Sequence, residues 1–81
     1  MNKDDLKRET KRLGVLPEAF LLDSADANEA YVLEFDGRRW RVYYSERGQE
    51  SGARRFDSES QACNYLLQLI LKDSSTRIAD L

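Results

Sequence analysis

Residues 30–46 read AYVLEFDGRRWRVYYSE, and this stretch decides the fold class. Two runs of alternating apolar and polar side chains flank Asp36-Gly37, a dipeptide typical of a type I′ hairpin turn. A two-residue loop at this dipeptide would place Leu33 directly opposite Trp40 on the neighbouring strand. The stretch therefore predicts an antiparallel β-hairpin.

Alternation along the second run divides its side chains between two faces of the sheet. Arg41 and Tyr43 are predicted to point outward, away from the core. The core side of the hairpin is predicted to consist of Tyr31, Leu33 and Phe35 from the first run and Trp40, Val42 and Tyr44 from the second.

The run ARRF at 53–56 is predicted to return as a third strand with Phe56 pointing inward. A two-residue loop at Gly48-Gln49 would set Phe56 opposite Arg41, on the wrong face. We therefore expect a turn of odd length or a β-bulge at a glycine. With Phe56 inward, Arg55 points outward beside Arg39 and Arg41.

Two helices flank the predicted strands. Residues 3–13 carry acids in the first turn and bases in the last, but their apolar stripe is narrow, so we expect this helix, within 1–15, to be loosely packed. The second helix begins after Ser58, which with Gln61 fits a capping box. Its broad apolar face is expected to cover the core side of the sheet. The tail 74–81 is polar and expected to be flexible.

A short edge strand at Phe20–Leu22 completes the set of elements. Residues 1–81 are thus predicted to form a single α+β domain. It has an antiparallel meander sheet of three to four strands on a C-terminal helix, with a short N-terminal helix, an αβββα-like order.

Composition narrows the function classes. The chain has no histidine and one cysteine, so it lacks both a Cys/His zinc site and an internal disulfide. We expect no metal or cofactor, a cytoplasmic location and no membrane span. Cys63 is predicted to be a packed thiol, and Glu46 and Glu50 solvated loop charges, so an enzyme is disfavoured.

The net charge of −2 is the sum of segments with very different charges. Residues 16–36 carry six acids and no base, whereas 37–56 carry six arginines and two glutamates. Arginine and tyrosine are enriched at binding hot spots, although arginines also simply keep a sheet face soluble. The predicted partner-binding residues are Arg39, Arg41, Tyr43, Glu46, Arg47 and Arg55.

The element order is also that of double-stranded-RNA-binding domains, and we retain a small nucleic-acid-binding or regulatory module as the alternative. Such domains lead into their last helix with a basic cluster. Here that helix opens with Asp57 and Glu59, which would repel phosphate. Nucleic-acid binding is therefore disfavoured.

From Pro17 to Asp73 the chain resembles small bacterial immunity proteins encoded beside polymorphic or contact-dependent toxins. The likeness is carried by WRVYYSERG at 40–48, by Phe56 and the acid after it in FDSES, and by ACNYLL at 62–67. This resemblance implies a cytoplasmic inhibitor that binds a cognate toxin domain and blocks its active site. Either the arginine-rich hairpins or the acidic segment 16–36 could form the interface. We expect a monomer or a weak homodimer, since exposed edge strands can pair.

Overall fold

The computed structural model describes residues 1–16, 19–22 and 29–73. In this part of the chain a helix precedes four strands, and a second helix follows them. The elements are α1 (Lys3–Arg12), β1 (Phe20–Leu22), β2 (Ala30–Phe35), β3 (Trp40–Glu46), β4 (Gln49–Phe56) and α2 (Glu59–Lys72).

The four strands form one sheet in the order β1-β2-β3-β4. Strands β2, β3 and β4 make an antiparallel meander, which confirms the predicted α+β fold class and its αβββα-like arrangement. The predicted edge strand Phe20–Leu22 is present, but it runs parallel to β2. The complete sheet is therefore mixed.

The β2–β3 register differs from the prediction by two residues, because the loop contains four residues and not two. Phe35 pairs with Trp40, and Leu33 pairs with Val42. The Asp36 carboxylate accepts hydrogen bonds from the backbone N–H groups of Arg38 (2.9 Å) and Arg39 (2.8 Å). This side-chain turn holds the wider loop in place. Because the shift is even, every side chain stays on its predicted face.

The β3–β4 turn is the two-residue loop Arg47-Gly48, with φ of 51° and 79°. Positive φ at both central residues is the condition for a type I′ turn. A β-bulge follows at Gly52-Ala53, where φ of Gly52 is 65°, and it brings Phe56 opposite Trp40. Of the two predicted alternatives, the turn of odd length is absent and the bulge at a glycine is present, and the inward position of Phe56 is confirmed.

The main core lies between the sheet and α2. Leu33 and Val42 of the sheet are fully buried in one cluster with four fully buried residues of α2: Ala62, Cys63, Leu66 and Ile70. Helix α2 starts as predicted, because the Ser58 side chain accepts a hydrogen bond from the Gln61 N–H at 3.1 Å. Its apolar face therefore covers the predicted core side.

Helix α1 is docked, contrary to the expectation of loose packing. Asn2 and Asp5 form a reciprocal capping box at its start. Leu6 is fully buried in the main core, and the Lys3 N–H donates to the Glu59 carboxylate of α2 at 2.9 Å. One large buried side chain and an interhelical hydrogen bond anchor this helix although its apolar stripe is narrow. The predicted flexible tail 74–81 lies outside the described residues.

Candidate partner-binding surface

Strand β3 divides its side chains as predicted between the core face, which meets α2, and the opposite outer face. Arg41 and Tyr43 lie on the outer face, where their partners across the sheet are Glu34 and Val32. On the core face, Trp40 packs against the main core and Val42 belongs to it. The alternation therefore predicts the faces of this strand correctly.

The outer face is organised around Arg41. One Nη atom of its guanidinium hydrogen-bonds Glu34 on β2, and the other hydrogen-bonds Glu50 on β4. The guanidinium also lies over the Tyr43 ring at 4.9 Å, and the Tyr43 hydroxyl donates to Glu34 at 3.4 Å. We call Glu34, Arg41, Tyr43 and Glu50 the Arg41 cluster. It ties the three antiparallel strands together on the outer face.

Arg41 and Tyr43 do not offer the open surface that was expected of them. Tyr43 is only 3% exposed and forms a small second apolar cluster with Ala30 and Val32. The Arg41 side chain is 16% exposed and is paired with two carboxylates. Alternation shows which face a side chain takes, but neighbouring side chains on that face determine its exposure. These two residues therefore stabilise the outer face and contribute little to its exposed surface.

The local electrostatics follow from this partial burial. Burial disfavours the Arg41 cation, but the hydrogen bond and charge of Glu50 and the charge of Glu34 outweigh it and raise the Arg41 pKa. Burial, followed by the charges of the same two carboxylates, raises the pKa of Tyr43. At neutral pH Arg41 is therefore a cation and Tyr43 a neutral phenol.

The other four predicted residues are exposed, but they are not all together. Glu46 and Arg47 lie at the tip of the β3–β4 hairpin. Arg55 is the cross-strand partner of Arg41, as predicted. Arg39 lies at the opposite end of β3, in the β2–β3 loop, where its Nε is 3.3 Å from a carboxylate oxygen of Asp57. Arg39 therefore belongs to a different part of the surface from the hairpin tip.

The hairpin tip carries an open polar concavity of about 380 Å³. Its lining mixes both signs of charge with neutral hydrogen-bonding groups. This surface suits a polar or mixed-charge contact more than an apolar one. The lining residues are Glu46, Arg47, Gln49, Glu50 and Ser51.

Sequence reasoning missed the exposure of Phe35. It was predicted to lie in the core, but it is 50% exposed and packs its ring on Trp40 at a centroid distance of 5.0 Å. It is also the last residue of β2, beside the loop that begins at Asp36. The end position of Phe35 in its strand was the available signal, since terminal strand residues have fewer neighbours.

Cys63 is buried among the apolar side chains of the core, which confirms the prediction of a packed thiol. Burial, followed by the charge of Glu59, raises the pKa of the thiol to about 11, so almost no thiolate is present at neutral pH. No group of three or more histidine, cysteine or carboxylate residues in the described ranges is placed to hold a metal ion. No described helix is long and apolar enough to cross a membrane.

Comparison with known proteins gives no match: no protein-family model, no curated protein and no solved structure is significantly similar to this chain. The resemblance to immunity proteins therefore stays a prediction.

Proposed function

We propose that this chain is an immunity-type protein of the bacterial cytoplasm, which binds a cognate toxin domain and neutralises it by covering its active site. The observation that carries the proposal is the β3–β4 hairpin, an ordered element whose tip and second strand are exposed. All residues from Glu46 to Arg55 are exposed. An inhibitor of this kind needs a fixed projecting surface and no catalytic group of its own.

Two features favour a single conformation of the hairpin. Its type I′ turn matches the natural twist of the two strands. On the outer face, an ion pair joins Arg41, near the start of β3, to Glu50, which lies on β4 close to the tip. A surface that is ordered before binding loses less conformational entropy when it meets a partner.

The WRVYYSERG block, which carries the resemblance, coincides with β3 and the turn that follows it. Its early positions build the scaffold, because Val42, Tyr43 and Ser45 are buried. Its last positions, Glu46 and Arg47, are exposed at the tip. We therefore assign contact with the toxin to the tip and to Arg55, and a supporting role to Arg41 and Tyr43. Arg39 belongs to a separate region.

Opposite charges at the tip favour a partner whose surface also carries both signs. Such complementarity contributes mainly to specificity and to the association rate, and it weakens as salt is added. Asp57 and Glu59 at the start of α2 are already engaged, by Arg39 and by the Lys3 N–H. They place negative charge where a phosphate-binding domain would need positive charge.

The proposal predicts that a gene beside this one encodes a secreted protein with a variable C-terminal domain, and the test is binding to that domain. Arg47→Asn removes the guanidinium, and asparagine suits the positive φ of this position, so the fold should be retained. We expect an affinity loss of about 30-fold by calorimetry, which corresponds to about 2 kcal/mol at a hot spot. Inhibition of the toxin should weaken in parallel.

Arg38→Asn is the matched control, because Arg38 is an exposed arginine in the other hairpin loop. Its affinity should stay within about twofold of the unsubstituted protein. Equal losses for Arg38→Asn and Arg47→Asn, or no loss for either, would reject the hairpin as the interface and favour the acidic segment 16–36. Tight, steeply salt-dependent binding of duplex RNA in place of the toxin would reject the proposed function itself.

A further inference from the structure

Strand β4 is an unusual edge strand. It lies at one edge of the described sheet, so β3 is its only neighbouring strand there. Seven of its eight residues are exposed, and only Phe56 is half-buried. The backbone groups along the edge of β4 that faces away from β3 form a template that another strand can pair with.

The charges of β4 are complementary to those of a second copy of the same strand. Glu50 lies near its beginning, and Arg54 and Arg55 lie near its end. In an antiparallel pair with Gly52 opposite Ala53 of the other copy, Glu50 faces Arg55. A twofold axis produces this contact twice. Ser51 faces Arg54 in the same arrangement.

The bulge makes this pairing possible. Arg55 lies five positions after Glu50, so in a regular strand their side chains would point to opposite faces. The extra residue at Gly52-Ala53 restores the same face, because Glu50 pairs with Ser45 and Arg55 pairs with Arg41, both on the outer face of β3. The two charges can therefore meet across an edge contact.

Other arrangements of two β4 strands bring like charges together. A parallel pair in register would place Glu50 beside Glu50 and Arg55 beside Arg55. Antiparallel pairs centred on Glu50 or on Arg55 would do the same at their centre. A bulge and charges on an edge also protect against uncontrolled pairing. In β4 they disfavour these arrangements, whereas the pair with Gly52 opposite Ala53 is favourable.

We infer that two copies of this chain associate through antiparallel pairing of their β4 strands, joining two four-stranded sheets into one. Glu50 can serve both contacts, because Arg41 binds its Oε1 and a carboxylate has a second oxygen. The contact is limited to one edge, so the dimer is weak, with a Kd on the order of 10⁻⁵ to 10⁻³ M.

Charge reversal in two separate variants tests this pairing. Glu50→Arg alone and Arg55→Glu alone each place like charges opposite one another in a homodimer, and each should be monomeric by sedimentation equilibrium. Mixed together, the two variants restore both opposite-charge contacts, so the mixture should form heterodimers. Their circular dichroism spectra and melting curves verify that each variant is folded. A folded pair that fails to associate on mixing would overturn the inference.

A second variant makes the test independent of any loss of stability. Ser51→Glu introduces a carboxylate opposite Arg54 of the other copy and leaves Glu50 in place. Two added ion pairs should tighten the dimer by about 2- to 30-fold. No change or a weaker dimer would count against the proposed register.

Nuclear magnetic resonance locates the contact. On dilution of the unsubstituted protein, amide shifts should change along Gln49–Phe56, and the dimer should weaken several-fold as ionic strength rises from about 0.05 to 0.5 M. Changes confined to the exposed Phe35 end of the molecule would overturn the pairing. The inference does not rest on the proposed function, because no toxin is present in these measurements.

Discussion

The two hairpins of this protein share β3 but are stabilised in different ways. The β2–β3 hairpin is built into the core, with Leu33 and Val42 fully buried as a cross-strand pair. The β3–β4 hairpin extends from that core, and seven residues of β4 are exposed. The first hairpin is held by apolar burial. The second is held by backbone pairing, a tight turn and the Arg41 cluster.

The turns show the same difference. The β2–β3 loop has four residues held by a side chain, Asp36, which accepts two backbone hydrogen bonds. The β3–β4 turn has two residues held by backbone conformation, at the cost of a positive φ at Arg47. Strand β3 therefore lies between a half of the sheet that stabilises the fold and a half that displays a surface.

The largest expected effect comes from comparing a buried residue of β2 with an exposed residue of β4. Leu33→Ala removes a fully buried side chain from β2 and should lower the free energy of unfolding by about 2–5 kcal/mol. Ser51→Ala, at an exposed position of β4, should change it by no more than about 0.5 kcal/mol. Urea denaturation measures both. Comparable losses would mean that β4 contributes to the fold as β2 does.

A smaller effect is expected at the Arg41 cluster, which joins the two halves. Arg41→Met leaves the Glu34 carboxylate, only 19% exposed, without its cation, and should destabilise the protein by about 1–3 kcal/mol. Glu50→Gln removes the more exposed partner, at 45%, and should cost about 0–1 kcal/mol. Thermal melts of both variants measure the difference.

A double variant sharpens this result. Arg41→Met with Glu34→Leu removes both buried charges, so it should recover part of the stability that Arg41→Met loses. If the double variant is less stable than the single one, the loss reflects packing and not an unpaired carboxylate.

The smallest effect concerns the β2–β3 turn and depends on pH. The backbone hydrogen bonds from Arg39 and Arg38 lower the pKa of Asp36 below its ordinary value of 3.8. Its contribution to stability is therefore fully present above that value and is lost as the pH falls through the lowered pKa. Asp36→Asn keeps an acceptor oxygen but cannot titrate, so its melting temperature should fall less steeply below pH 3.8.

The pH experiment needs an internal reference, because Asp5 and Glu9 also have lowered pKa values. Hydrogen bonds with Asn2 and Arg12, respectively, are the main causes. The unsubstituted protein and Asp36→Asn both retain these two carboxylates. The difference between their melting profiles in acid therefore reports on Asp36 alone. Parallel profiles would show that the carboxylate does not hold the turn more tightly when it is charged.

The register of the β2–β3 hairpin shows where sequence reasoning was insufficient. Asp36-Gly37 predicts a hairpin, and a hairpin is present, but the turn contains two more residues than expected. Local preference for a type I′ turn was outweighed by the hydrogen bonds that the Asp36 side chain makes to Arg38 and Arg39. For β4, the requirement that Phe56 point inward predicted either a turn of odd length or a bulge, because both change the parity of the strand, and the structure has the bulge.

The candidate surface was predictable only in part. Exposure of Glu46, Arg47 and Arg55 agrees with the prediction, whereas Tyr43 is buried against Ala30 and Val32. No periodicity within β3 could reveal this, because the neighbours that bury Tyr43 lie on another strand. Phe35 shows the converse case, an apolar side chain at a strand end that remains half exposed.

The sequence by itself determined the type and order of the elements, the faces of the residues in β2 and β3, and the cap at Ser58. These properties depend on residues a few positions apart, where strand alternation, helix periodicity and capping act directly. Tertiary structure alone decided the parallel pairing of β1, the docking of α1 through Leu6, the burial of Tyr43 and the low exposure of Arg41. These properties depend on contacts between residues distant in the chain, and their free energy exists only when the elements are assembled.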